Sequence, residues 1–255
     1  APDLNEYEKL GNTPFELFVK KSLCHVNVFK VAVLEQDRKL VAANTEYRAV
    51  LEYRADNNEI YVKCIPMQWD MTNVPAEAVM EQWTSLDGCV VKVRNRLTCH
   101  RTDRLYGEGM TLAQEIPAVW LISALKNLYA YFGDKPFENE PFKQVEVRQL
   151  IMNNPDHFWG IYVNVPENWM AFTDDSGWGI AVYTPSACGF MAGRYESFLQ
   201  GDEHHVASSY IAPVRFEALM KNSVMEYDYY LVIGSLEKMR KEIYKIHRSL
   251  EKASR

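Results

Sequence analysis

The 255-residue sequence lacks the motifs by which many activities are recognised. It has no phosphate-binding loop, dinucleotide fingerprint, HExxH zinc motif, EF-hand loop or GxSxG nucleophile elbow. Its five cysteines form no CxxC motif and no paired Cys/His ligand spacing, so we predict no structural zinc site. We expect neither a metal nor a cofactor.

Charge and hydropathy argue against two classes of partner. The net charge is −6 and no Lys/Arg cluster is interleaved with aromatics, whereas a nucleic-acid binder needs a basic face to neutralise phosphates. No apolar run is long enough to cross a bilayer, so we predict no membrane partner. The chain does hold 6 Trp, 15 Tyr and 11 Phe, rings that suit sheet packing and, alternatively, sugar stacking.

The most informative stretch covers residues 168–185. Two apolar runs, Trp169 to Thr173 and Trp178 to Tyr183, flank the turn sequence Asp-Asp-Ser-Gly. Acidic residues and glycine between aromatic and β-branched runs predict a β-hairpin. A second hairpin is predicted around Leu86-Asp87-Gly88, and a long loop over Gly189 to Ala207.

Many short strands at regular spacing predict an antiparallel β-sandwich closed by one helix. We predict a polar N-terminal segment over residues 1–20, a β-sandwich domain over 21–234 and a C-terminal amphipathic helix over 235–255. Ser235 is a good N-cap for this helix. Its apolar stripe either docks on its own sheet or forms a seam for a partner helix.

The acidic pair in the hairpin turn, Asp174 and Asp175, has two interpretations. Asp is favoured in turns because its carboxylate accepts hydrogen bonds from nearby backbone. The functional interpretation is a pair of carboxylates beside Trp178 at a strand end. Adjacent strand positions point to opposite faces, so we do not expect the two acids to converge as a catalytic dyad.

Three other groups are candidates. Glu115, between apolar residues and before Pro117, is either half of a structural ion pair or a general acid/base. Trp69 lies in a loop upstream of Glu81, and is either a sugar-stacking platform or a plug at the end of the sandwich. His204 and His205 form a solvated loop or a weak cation site, and adjacent residues rarely ligate one metal well.

An ordered series of short segments over residues 61–234 resembles a family of largely uncharacterised, mostly bacterial secreted proteins associated with polysaccharide use. The segments are Tyr61 to Trp69, Asn73 to Pro75, Arg94 to Leu97, Arg101 to Asp103, Gln114 to Val119, Gly133 to Phe137, the hairpin of residues 168–185, Tyr210 to Pro213, and Glu226 to Tyr229. The resemblance implies a galactose mutarotase-like β-supersandwich and a secreted or extracellular location.

The resemblance also implies a carbohydrate ligand, bound without chemistry or with an undefined or lost hydrolase or lyase activity. In an enzyme, Glu115 and Asp175 would be the catalytic acid and base. The substrate-binding residues would be Trp69, Glu81, Trp120, Asp174 and Trp178.

The chain departs from the family pattern in two places. Residues 1–60 are shorter than the family's N-terminal half, which implies a companion N-terminal fragment or an incomplete site. Ala76 replaces a frequent glycine before Glu77.

The alternative hypothesis is a non-enzymatic assembly protein. It would use sheet edges and the C-terminal helix as interfaces, in a homo-oligomer or with other chains.

Overall fold

The computed structural model is built almost entirely from β-strands. It describes residues 32–34, 39–41, 50–56, 58–66, 75–101, 111–122, 124–146, 161–195 and 208–253. The strands within these ranges are β1 (Ala32–Leu34), β2 (Lys39–Val41), β3 (Val50–Ala55), β4 (Glu59–Cys64), β5 (Ala78–Asp87), β6 (Val90–Cys99), β7 (Leu112–Glu115), β8 (Val119–Ile122), β9 (Asn127–Ala130), β10 (Lys143–Val145), β11 (Ile161–Val163), β12 (Trp169–Thr173), β13 (Trp178–Tyr183), β14 (Gly189–Tyr195), β15 (Ser208–Glu217) and β16 (Val224–Ser235). The helix within these ranges, α1 (Leu236–Ala253), follows β16 directly.

Every strand pairing between these residues is antiparallel. The larger sheet has nine strands in the order β10-β9-β12-β13-β16-β6-β5-β4-β3. The smaller has the order β11-β14-β15-β7, and β8 pairs with β15 beside this path. Strands β1 and β2 pair only with each other among the described strands.

The two larger sheets share a core. Met170 and Phe172 of β12 pack in one cluster with Phe190 of β14 and Ile211 of β15, and all four are 0% exposed. Alternate residues of a strand point to opposite faces, so Trp169 and Ala171 lie on the other side of the larger sheet. This buried layer confirms the predicted antiparallel β-sandwich.

The outer face of the larger sheet is covered by α1 over the region of β12, β13 and β16. Met239 and Ile243 are 0% exposed and pack in one cluster with Trp169, Tyr183 and Val232. Leu236, Ile246 and Leu250 pack against the same cluster. The apolar stripe of the helix therefore docks on its own sheet, which leaves no seam for a partner helix along that stripe.

Both predicted hairpins are present. In the first, Trp169 pairs with Tyr183 and Thr173 with Gly179, and Gly177 has the positive φ of 80° that the turn requires. In the second, β5 and β6 pair from Ala78 to Asp87.

The loop predicted over Gly189 to Ala207 is wrong in its first part. Gly189–Tyr195 forms β14, which pairs along its length with β15. Its glycines suggested a loop, but Phe190 and Ala192 point into the core between the sheets, and this burial outweighs the low strand propensity of glycine. The remainder of that segment lies outside the described residues, as do the predicted N-terminal segment 1–20, Trp69, His204 and His205.

Candidate binding site at the open end of the central hairpin

The tip of the β12–β13 hairpin is held by Asp174. Its Oδ1 accepts hydrogen bonds from Ser176 N at 2.9 Å, Ser176 Oγ at 2.7 Å and Trp178 N at 3.1 Å. The Ser176 hydroxyl, followed by the two backbone N–H groups, keeps the pKa of Asp174 below its usual value. The carboxylate is thus engaged in turn geometry.

Asp175 faces a different partner. Its Oδ2 lies 2.8 Å from Lys126 Nζ, and its Oδ1 accepts a hydrogen bond from Asn127 Nδ2 at 3.3 Å. Lys126 and then Asn127 lower the pKa of Asp175. The two acids lie in the turn and engage different partners, so they do not form a catalytic dyad. Trp178 is 48% exposed at the same tip.

Glu115 and Trp120 lie together on the smaller sheet. Glu115 pairs with Val214, and Trp120 pairs with Tyr210, with ring centroids 4.8 Å apart. Tyr210 is 1% exposed, and burial followed by the charge of Glu115 raises its pKa well above the usual value. Since neighbouring Ile211 points into the core, this group occupies the opposite face of the sheet. Asp175 belongs to the other sheet, so the structure does not bring it together with Glu115.

Glu81 lies on a third surface, the solvent side of β4, β5 and β6. Its Oε1 accepts a hydrogen bond from Tyr61 Oη at 2.7 Å, and the residue pairs across the strands with Lys63 and Arg96. The predicted site residues within the described structure are therefore distributed over three separate surfaces.

A cavity of about 400 Å³ opens at the other end of the hairpin, beside the last turns of α1. This volume falls in the range of about 300–1,000 Å³ that is typical of small-molecule sites. Its lining combines apolar rings with an amide, an imidazole and a carboxylate: Phe137, Asn168, Tyr183, Pro185, His247, Leu250 and Glu251. We call it the hairpin-base pocket.

His247 organises one wall of the hairpin-base pocket. Its ring stacks on Phe137, with centroids 3.6 Å apart and planes inclined by 3°. Its Nδ1 lies 3.3 Å from Tyr183 Oη, and its Nε2 lies 3.6 Å from Glu251 Oε1. Burial, with smaller contributions from the charges of Tyr230 and Glu251, raises the pKa of Tyr183, so its hydroxyl stays protonated at neutral pH.

The backbone at this end adopts conformations that few side chains accept. Phe137 has φ of 64° and Asn168 has φ of 52°, in the left-handed region. Asparagine tolerates this region, but for phenylalanine it is an outlier that the surrounding contacts must hold in place. The Asn168 side chain donates a hydrogen bond from Nδ2 to Pro185 O at 3.0 Å, which links the two strands of the hairpin base.

The buried carboxylate of Glu167 stabilises this wall of the pocket. Glu167 is 0% exposed and accepts hydrogen bonds from Phe137 N at 2.8 Å, Trp169 Nε1 at 2.7 Å and Arg240 Nη2 at 2.9 Å, and from the hydroxyl of Tyr244. A buried charge persists only when it is paired and hydrogen-bonded in this way. Glu167 thus ties the hairpin base to α1 and fixes the Phe137 backbone.

The sequence prediction did not include Glu167, Asn168, His247 or Glu251. Only Asn168 carries a local signal, because asparagine tolerates left-handed backbone. The others became visible only when the fold brought α1 against the hairpin.

Neither metal-site geometry nor a transmembrane helix is found in the parts of the chain that the structure describes. No group of three or more His, Cys, Asp or Glu side chains there could hold a metal ion. None of the helical residues described forms a segment long and apolar enough to cross a membrane.

Comparisons with known proteins give only distant likenesses. No family model matches the sequence, and no curated protein matches it. Among solved structures, the 4-alpha-glucanotransferase of Thermococcus litoralis is 10% identical, with a TM-score of 0.38 over 71% of this chain and 22% of that one. The galactosidase domain of an alpha-galactosidase–sucrose kinase is 7% identical, with a TM-score of 0.43 over 76% of this chain and 27% of that one.

A galactose mutarotase related enzyme from Lactobacillus acidophilus is 8% identical, with a TM-score of 0.37 over 72% of this chain and 71% of that one. We transfer no residue role from these structures. The chain spans 22% and 27% of the lengths of the first two. The family assignment from sequence stays a prediction.

Proposed function

We propose that the protein is a carbohydrate-binding β-sandwich and that the hairpin-base pocket holds a sugar residue. The observation that carries this proposal is the mixed lining of a pocket of about 400 Å³. A sugar ring presents apolar C–H faces and a rim of hydroxyl groups. Phe137 and Pro185 provide apolar surface for such a face.

The polar groups of the pocket suit the hydroxyl rim. Glu251 is 55% exposed at its side chain, so its carboxylate can accept hydrogen bonds from two sugar hydroxyls. The imidazole of His247, set between Tyr183 and Glu251, offers a donor or an acceptor according to its tautomer. The wall that presents these groups is fixed by Glu167, which lowers the entropy lost on binding.

The geometry favours binding over glycoside hydrolysis. Hydrolysis by the usual route needs two carboxyl groups at a set separation across the scissile bond. Among the described residues that line the pocket, Glu251 alone carries a carboxylate. The resemblance also implies a secreted location and a companion N-terminal fragment. Both stay predictions, separate from this proposal.

A glycan array followed by calorimetric titration of the best ligand tests the proposal. We expect Glu251→Gln to weaken binding by about 10-fold or more, because hydrogen bonds to a charged group contribute about 1.5–3 kcal/mol. Glu237→Gln is the matched control, since it makes the same change about 21 Å away in the first turn of the helix. Its affinity should equal that of the wild type.

Two outcomes would contradict the proposal. One is that no glycan binds. The other is that Glu251→Gln leaves affinity unchanged while Trp178→Ala abolishes it, which would move the site to the hairpin tip.

A further inference from the structure

Strand β3 forms one edge of the nine-stranded sheet. It pairs with β4 on one side, and no other strand within the described residues pairs with its second side. The whole of Leu51–Ala55 is exposed, and Leu51 and Tyr53 are each 52% exposed. An exposed edge with apolar side chains is a template for pairing with another strand.

The charges of β3 are self-complementary. Glu52 and Arg54 flank Tyr53 and lie on the same face of the sheet, and their side chains form an ion pair with an N–O distance of 3.3 Å. When a second β3 strand is turned antiparallel and centred on Tyr53, each Glu52 lies opposite the Arg54 of the other copy. Leu51 lies at a register irregularity of the β3–β4 pair, so the centred pairing rests on Glu52, Tyr53 and Arg54.

We propose that β3 is a dimerisation edge, at which a second copy of this chain pairs antiparallel about a two-fold axis through Tyr53. Such an isologous contact requires a surface complementary to itself. The sequence Glu-Tyr-Arg meets this requirement. The two nine-stranded sheets then form one continuous sheet.

The charges also select the register. A shift of two residues in either direction places Glu52 opposite Glu52 or Arg54 opposite Arg54, and directly opposed like charges destabilise strand pairs. Natural edge strands are often blunted by charged side chains, prolines, inward-pointing charges or β-bulges. The register irregularity of β3 lies at its start, between Val50 and Glu52, and leaves Glu52 to Ala55 in regular pairing with β4. Strand β3 has opposite charges on one face, an arrangement that permits the centred register and penalises its neighbours.

The charge pattern continues into the sheet behind β3. One row across the strands alternates in sign through Glu52, Lys63, Glu81, Arg96 and Glu226. The neighbouring row starts at Arg54, whose guanidinium lies 4.4 Å from the centroid of the Tyr61 ring. In the centred dimer, Glu52 at the end of the alternating row meets Arg54 of the other copy, so the alternation extends by one residue across the interface.

Sedimentation velocity over a range of protein concentrations tests this inference. The wild-type chain should form dimers, and Glu52→Arg and Arg54→Glu should each raise the dimer Kd by about 10-fold or more, because each change replaces two attractive cross-strand pairs by repulsive ones. The double variant Glu52→Arg/Arg54→Glu restores complementarity and should return the Kd to within about 3-fold of the wild type.

Glu146→Arg is the matched control, since it makes the same charge change beside β10, at the opposite edge of the sheet. It should leave the Kd unchanged, and circular dichroism should show that all variants fold. The inference is overturned by a wild-type chain that stays monomeric up to about 1 mM. It is also overturned when the single reversals leave the dimer intact, or when the double variant does not restore it.

Discussion

The two ends of the β12–β13 hairpin are held by different kinds of interaction. At the tip, Asp174 bonds to residues two and four positions away. At the base, Glu167 bonds to residues 30, 73 and 77 positions away. The tip is exposed and the base carboxylate is fully buried. The Asp174 carboxylate that shapes the turn thus has local partners, although Asp175 beside it bonds to Lys126 and Asn127. The Glu167 carboxylate that supports the pocket depends mainly on distant partners.

The largest expected effect follows removal of the buried charge at the base. Glu167→Gln leaves the guanidinium of Arg240 buried without its carboxylate, and we expect a loss of about 3–5 kcal/mol in the free energy of unfolding. Urea denaturation measures this loss. Glu237→Gln, an exposed change in the same helix, should stay within about 0.5 kcal/mol of the wild type. If both variants lost the same free energy of unfolding, the special role of the buried carboxylate at the base would be contradicted.

A smaller effect is expected from backbone strain at the tip. Gly177→Ala places a side chain at φ of 80° with no neighbouring atom within 4 Å of the new Cβ, so strain alone acts and should cost about 1–2 kcal/mol. The reverse change at the base, Asn168→Gly, relieves strain but removes the bond to Pro185, and should be nearly neutral. Thermal unfolding of both variants checks this order.

Alkaline pH should destabilise the contacts at the hairpin base and leave the contacts at the hairpin tip unchanged. Burial, followed by the hydrogen bond to Glu167, raises the pKa of Tyr244 to about 12 from 10.0. A group whose pKa is raised by folding contributes stability that is complete below its unfolded pKa and is lost as pH rises through the folded value. Tyr244→Phe should therefore flatten the fall in urea midpoint between about pH 9 and 12. A fall as steep as that of the wild type would contradict the assignment to Tyr244.

The smallest effect is expected at Asp174. Its pKa is lowered by Ser176 and by backbone N–H groups, so it contributes stability that is present above its unfolded pKa of 3.8 and is lost as pH falls through the folded value. Asp174→Asn keeps an acceptor oxygen in the turn, so stability at neutral pH should change little. Acid titration followed by circular dichroism should show a shallower loss of structure than in the wild type.

The contrast between the ends also explains what could be predicted from sequence. The hairpin, its turn and the apolar stripe of α1 follow from patterns that repeat within a few residues. The role of Asp174 in the turn follows from the same local chemistry. The fold class was predictable on these grounds.

The candidate pocket was not predictable, because its residues come from three distant segments. Phe137, Asn168 and His247 meet only through the packing of α1 on the larger sheet. Glu167 in particular lies in a Pro-Glu-Asn sequence that resembles any surface turn. Its burial depends on Arg240 and Tyr244, which no periodicity links to it.

The position of β16 bears on how the protein is made. This strand lies between β13 and β6 and joins the two halves of the nine-stranded sheet, yet among the described strands it is the last to be synthesised. During translation, β13 and β6 therefore lack the strand that pairs between them until Val224–Ser235 has been synthesised. The nine-stranded sheet can therefore be completed only late in synthesis. The helix that packs on it is formed by the next 18 residues.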